Sequence, residues 1–234
     1  MANFILIHGA WHGGWCWERV VPLLRAAGHS VLAPDLPGMG DDRTPFGPAV
    51  LSDLADWVCA QTEPVVLVGH SRGGVVISEV AERVPDRISR LVYLTAFLLP
   101  DGQSLMGFNG TVQNDAVAGS LRISDDGQTC TIDPARSPDI FYGGCAGADA
   151  SACLARLTPE PLAAVTTPVR VTPQRFGTVP RAYIEATDDH AIRIGRQRAM
   201  HAALPCDPVI TLACDHSPFY SMPDRLAQAL LALA

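Results

Sequence analysis

The chain has 234 residues, 48% of them hydrophobic, and a formal net charge of −7. Such a length suits one domain with a large core and room for an inserted subdomain, and the negative charge, without any basic run, argues against nucleic acid or an anionic membrane as partner. All 17 basic residues are arginine, which excludes a Schiff-base lysine, pyridoxal chemistry and a Walker-type phosphate loop.

No Gly-x-Gly-x-x-Gly fingerprint occurs, so no dinucleotide is expected; no other cofactor and no metal is expected either. The seven cysteines (16, 59, 130, 145, 153, 206, 214) are scattered without a Cys-x-x-Cys pair. They read as free thiols of a reducing compartment, with Cys145–Cys153 the one local pairing to check. Met-Ala-Asn-Phe runs straight into a strand with no basic n-region or signal-like apolar segment, and no stretch approaches a membrane span, so the expected location is the cytoplasm.

The first strand is expected over Phe4 to Ile7, followed by the loop His8 to Trp15 and a helix over Trp17 to Ala27 that Gly28 ends. Ser30 to Ala33 is a second strand, closed by the turn formers Pro34 to Gly38. Leu51, Leu54, Ala55 and Val58 mark a helix, and Val65 to Val68 form a buried strand. A helix carrying Val75, Val76 and Val80 follows and stops at Pro85, and Leu91 to Ala96 is the next strand. This β-α alternation predicts a mostly parallel sheet of about six strands with helices on both faces and a site at the carboxyl ends of the strands.

The alternation breaks over residues 98–178, which are richer in Gly, Pro, Ser, Thr and Asp and show one clear helix near Ala148 to Leu157. So long a structureless loop is improbable, and the segment is expected to be an inserted cap in which Phe108, Phe141, Tyr142 and Phe176 line a site. Strand Arg181 to Ala186, a helix from about Ala191 to Ala203 and strand Val209 to Ala213 resume the pattern. The last helix is expected near Ser221, with that serine as its cap and a proline in its first turn. The core is thus 1–97 with 179–234, and the cap 98–178.

Gly69-His70-Ser71-Arg72-Gly73 fits Gly-x-Ser-x-Gly, and its place between a strand and a helix is the context that gives this short pattern meaning. The turn forces Ser71 into a strained conformation, and side chains at 69 or 73 would collide with neighbouring backbone. A serine needs a base to take its proton and an acid to orient that base. Of seven histidines, His216 alone follows the last strand, on the sheet edge that carries Ser71. His8, His12 and His70 read as structural, His29 and His201 as surface. The acid belongs after the preceding strand, where Asp188 and Asp189 stand side by side. The arrangement Ser…Asp…His is one of three chain orders known for serine hydrolases. An oxyanion hole would take the N–H of Arg72 and, from the end of the first strand, that of Ala10.

The chain resembles the α/β-hydrolase superfamily, in the branch of plant methyl esterases, hydroxynitrile lyases and small bacterial carboxylesterases that include pyrethroid-type hydrolases. The similarity lies in His8-Gly-Ala-Trp-His-Gly-Gly-Trp15, Ala33-Pro-Asp-Leu36, Gly69-His-Ser-Arg-Gly-Gly74, Phe141-Tyr-Gly-Gly-Cys145, Tyr183 to Asp189 and Asp215-His-Ser-Pro218. The resemblance implies the α/β-hydrolase fold and puts the catalytic carboxylate on Asp189. Plant-type lyases of the branch carry threonine at the place of Gly9 and lysine at that of Ser217.

The expected function is hydrolysis of small to medium apolar esters through Ser71, His216 and Asp189, with no cofactor. Gly9, Trp11, His70, Phe108, Phe141, Phe176 and Ser217 are the expected substrate-binding residues. The partner is a small-molecule ester, with a second copy of the chain in a homodimer as the one assembly considered. Alternatives on the same fold are a hydroxynitrile lyase, a cofactor-free dioxygenase and a non-catalytic receptor-like binder.

Overall fold

A computed structural model describes residues 1–44, 51–61, 65–109 and 116–234. Strands β1 (Asn3–Ile7), β2 (Ser30–Leu32), β3 (Val65–His70) and β4 (Ile88–Leu94) form one sheet with two later strands. Helices α1 (Val21–Ala26), α2 (Leu51–Gln61) and α3 (Gly73–Arg83) connect them. Residues 98–178 contribute β5 (Leu121–Ile123), β6 (Thr129–Ile132) and β7 (Glu160–Pro161) together with α4 (Leu105–Asn109), α5 (Ser137–Tyr142), α6 (Gly147–Leu154) and α7 (Leu162–Thr166). The chain then completes the main sheet with β8 (Arg181–Ala186), α8 (Ile194–Ala203) and β9 (Val209–Leu212), and ends in α9 (Pro218–Ser221) and α10 (Pro223–Leu231).

The main sheet has six strands in the order β2-β1-β3-β4-β8-β9, every pair parallel. All six residues of β3 are buried, as a central strand covered on both faces requires. Its apolar run therefore has no alternation, whereas the edge strand β9 exposes Val209.

Four expectations are corrected. The helix expected over Trp17 to Ala27 is a 3₁₀ turn, Gly14–Trp17, followed by the shorter α1, because Pro22 sits in the first turn and sets the start. The final helix is split in two, and Ser221 caps neither part: its hydroxyl donates to Asp215 Oδ1 at 2.6 Å. The helix after β8 begins at Ile194 rather than Ala191, since the 191 and 192 amides are held by Asp189. Residues 98–178 hold an antiparallel sheet, β5-β6-β7, that sequence periodicity did not reveal because its strands are only two to four residues long.

The β3–α3 turn leaves no room for side chains at its two outer glycines. A Cβ on Gly69 would lie 2.6 Å from the Gly73 carbonyl oxygen, and one on Gly73 would lie 2.8 Å from that of Ile7 in β1. Both obstacles are backbone, one in the first turn of α3 and one in β1, and cannot move aside. By contrast, a Cβ on Gly195 in α8 meets nothing within 4 Å. Gly73→Ala is expected to destabilise the fold by about 1–3 kcal/mol, and Gly195→Ala to stabilise it by about 0.5–1 kcal/mol. Urea denaturation midpoints of the two variants check this, and equal midpoints would contradict it.

Candidate active site

Ser71 follows β3 at φ +53°, in the left-handed region. Its amide donates to the Leu94 carbonyl at 3.3 Å, and its carbonyl accepts the amides of Gly74 and Phe97, each at 3.0 Å. The residue is thereby tied to β4 and to the first turn of α3, whose positive dipole end faces the same place. Among the described residues, the amides of Ala10 and Arg72 have no hydrogen-bond partner.

His216 and Asp189 come together from the ends of β9 and β8. His216 Nδ1 lies 2.7 Å from Asp189 Oδ2, with both side chains buried. The same oxygen accepts the Thr95 hydroxyl, and Oδ1 accepts the amides of Ala191 (2.6 Å) and Ile192 (2.8 Å). Charge-assisted bonds of this kind are shorter and stronger than neutral ones, so the carboxylate is fixed and the imidazole with it. Asp188, one residue earlier, is exposed and touches Thr187.

Three more imidazoles surround this pair, and all act on backbone. His8 donates from Nδ1 to Gly9 O (2.8 Å) and accepts the Leu36 amide at Nε2 (3.1 Å). His12 donates to Ala10 O (2.7 Å) and meets the Tyr142 hydroxyl at Nε2 (2.7 Å). His70 donates to the carbonyl of His216 (2.8 Å), its ring 4.6 Å from that of His216. Burial pushes their pKa values down, to about 3 for His8 and about 4 for His12, and well below the usual value for His70.

A cavity of about 240 Å³ opens over Ser71. Trp11, Phe97, Leu105, Met106, Phe141 and Ile192 are among its walls, with Asn109 the polar side chain besides Ser71. Arg72 also borders it, but its guanidinium is fully buried against Glu160. Of the substrate-binding residues expected from sequence, Trp11 and Phe141 line this cavity and five do not. Gly9 lies beneath it, where a Cβ would press to 2.9 Å on both Ser71 Cβ and His70 Nδ1. His70 is behind His216, and Ser217 is fully buried with its amide on Asp215. Phe108 is not among the walls and packs on Phe97 and under the Arg196 guanidinium. Phe176 sits at the Arg83 end of α3, about 16 Å along the helix from Ser71, where Arg181 covers its ring.

Sequence reasoning missed Thr95 and Glu160. Thr95 could have been found as the polar residue ending an apolar strand on the site's edge. Nothing local marks Glu160. All seven cysteines are free, and among the described residues no group of His, Cys, Asp or Glu is arranged to hold a metal ion. No described helix is long and apolar enough to cross a membrane.

The alpha/beta hydrolase family pattern matches residues 4–229. The pyrethroid hydrolase of Sphingobium wenxiniae is 33% identical, covering 100% of this chain and 88% of that protein. Putative methylesterase 11, chloroplastic, of Arabidopsis thaliana is 30% identical over 99% of this chain, which spans 64% of that relative's length. Among solved structures, a pyrethroid hydrolase from Sphingobium faniae superposes with a TM-score of 0.87 at 31% identity, covering 99% of this chain and 96% of that one.

The buried imidazoles imply a pH dependence of stability. Each binds its proton near 6.5 when unfolded and only far below that when folded, so the unfolded state takes up protons first as pH falls. Their contribution is fully present above pH 6.5 and is lost progressively as pH falls below it, through about 4 for His12 and about 3 for His8. Between pH 7 and pH 5 the loss is about 2 kcal/mol per histidine, and on the order of several kcal/mol for the three. Guanidinium unfolding at pH 7, 6 and 5 measures it, and a flat midpoint across that range would contradict it.

Proposed function

The chain belongs to the alpha/beta hydrolase family, and we propose that it is a carboxylic-ester hydrolase with Ser71 as nucleophile, His216 as base and Asp189 as the acid that orients it. The observation that carries this reading is the buried 2.7 Å contact between His216 and Asp189 on the edge where Ser71 stands strained beneath an apolar cavity. The names of its relatives, a pyrethroid hydrolase and a methylesterase, agree with ester chemistry.

In the first step Ser71 Oγ bonds to the ester carbonyl carbon while its proton passes to His216. The carbonyl oxygen becomes an oxyanion, held by the partnerless amides of Ala10 and Arg72. As the carbon–oxygen bond to the alcohol breaks, His216 returns the proton to the leaving oxygen. Water then gives a proton to the same imidazole, attacks the acyl-enzyme, and frees the acid and Ser71. Asp189 stays ionised throughout and keeps His216 in the tautomer protonated at Nδ1.

Residues 98–178 act as a cap in this reading, since Leu105, Met106, Asn109, Val117, Leu121, Phe141 and Val165 all come from them. Among the described residues the walls carry no free charge, which suits a neutral ester with an apolar acyl group. Cyanohydrin cleavage needs a cation beside the base. Ser217 is buried and neutral, the chain has no lysine, and the arginine bordering the cavity is already paired.

A series of p-nitrophenyl esters tests the proposal. Acetate to hexanoate esters should be hydrolysed, a succinate monoester much more slowly, and mandelonitrile should release no cyanide above the buffer rate. Ser71→Ala should lower kcat by about 10⁶-fold. Asp189→Asn should lower it by up to about 10⁴-fold through the wrong tautomer, and Asp188→Asn far less. Full turnover by Ser71→Ala would reject the covalent route, and the reverse ranking of the two aspartates would reassign the acid.

A further inference from the structure

Glu160, in β7, is fully buried, and its two oxygens serve two different backbone segments. Oε1 stands 2.9 Å from Arg72 Nε, at ion-pair distance though without hydrogen-bond alignment. Oε2 accepts the Trp11 amide at 3.1 Å. Arg72 follows Ser71, and Trp11 follows Ala10. Each oxyanion donor is therefore carried by a residue that Glu160 holds directly, or by its immediate chain neighbour.

The Ala10–Trp11 peptide is gripped at both ends, since the Ala10 carbonyl accepts His12 Nδ1–H at 2.7 Å while the Trp11 amide donates to Glu160. Trp11 needs this grip because its φ is +63°, a conformation that a bulky side chain disfavours. Two further bonds come from the same inserted segment: the Thr158 amide donates to Trp11 O at 2.9 Å, and the Trp11 indole N–H donates to Cys130 O at 3.0 Å. On the other side, among the described residues Arg72 Nη1 has no acceptor, Nη2 reaches only Met39 Sδ at 3.0 Å, and Glu160 is the one counter-charge.

A buried ion pair is weak support for stability, because apolar side chains can fill the same space without desolvating two charges. What an apolar pair could not do is accept the Trp11 amide and fix the distance from loop 9–11 to the elbow. We propose that Glu160 is the positioning residue of the oxyanion hole, setting the spacing of the Ala10 and Arg72 amides from within the inserted segment. This rests on the ester-hydrolase reading above.

The test compares Arg72→Met/Glu160→Gln with Arg72→Met/Glu160→Met. Both lack the buried charges, and they differ in whether residue 160 can still accept the Trp11 amide. On p-nitrophenyl butyrate the Met member should fall at least tenfold below the Gln member in kcat at similar KM. It should lose the same factor in affinity for an alkyl boronic acid, whose tetrahedral Ser71 adduct places an oxygen in the hole. Glu160→Asp keeps the charge balance and draws the carboxylate back by one methylene. It should lower kcat at least fivefold without changing KM or lowering Tm below the assay temperature. Equal kcat and boronate affinity in the two double variants, or wild-type kcat in Glu160→Asp, overturns the inference while leaving the ester-hydrolase reading intact. A wild-type protein without ester turnover overturns both.

Discussion

Ser71 is held at φ +53°, and much of the surrounding structure serves to keep it there. A non-glycine residue in that region costs on the order of 1–2 kcal/mol, which the elbow must offset locally. It does so through three backbone bonds to Ser71 and by letting β1, β3 and α3 meet where Gly69 and Gly73 carry no side chains. That packing leaves the serine hydroxyl on the outside of a turn whose inside is full. The parallel order of β1, β3, β4, β8 and β9 follows the same logic, since every loop that adds a group to Ser71 leaves a strand at its carboxyl end.

Four histidines cluster at this edge, and the hydrogen bonds give each a distinct place. Loops on this edge carry carbonyls that no strand can pair, and buried carbonyls need donors. A neutral imidazole supplies one donor and one acceptor on a rigid ring. His8, His12 and His70 use their donors on Gly9, Ala10 and His216. These rings remain neutral because burial opposes their protonation. Of these four rings, His216 is the one that faces a buried carboxylate.

The main sheet was legible because its signals are local: apolar runs of four to six residues, glycine and proline at the ends, and a motif whose spacing is set by one tight turn. Ser71, His216 and Asp189 could be placed because each follows a strand. Even the adjacent aspartates were separable, but only by alignment to a resemblance, as nothing within Thr187-Asp188-Asp189 distinguishes the exposed carboxylate from the buried one. The inserted segment was far less legible. Its strands are too short to show periodicity, and the apolar character of Phe108 and Phe176 gave no direction to their rings. Phe176 is as buried as Phe141, yet it packs on the opposite end of α3. Burial can be inferred from composition, but which cavity a side chain enters depends on helix phase and on contacts far along the chain.

Three buried carboxylates divide the work of holding this edge together, and none is satisfied by charge alone. Asp189 accepts the amides of Ala191 and Ile192 as well as His216. Asp215 accepts the amides of Ser217 (3.2 Å) and Gly144 (3.0 Å), tying the loop of His216 to the Phe141–Cys145 stretch of residues 98–178. Glu160 accepts the amide of Trp11 and pairs with Arg72. A carboxylate can take several donors from different directions, which suits it to junctions where loops from distant parts of the chain converge. Two of these three junctions join residues 98–178 to the sheet. The segment that walls the cavity is thus also part of what fixes His216 and the Ala10 loop, so reshaping the cavity through it would disturb those groups unless the bonds of Asp215 and Glu160 were kept.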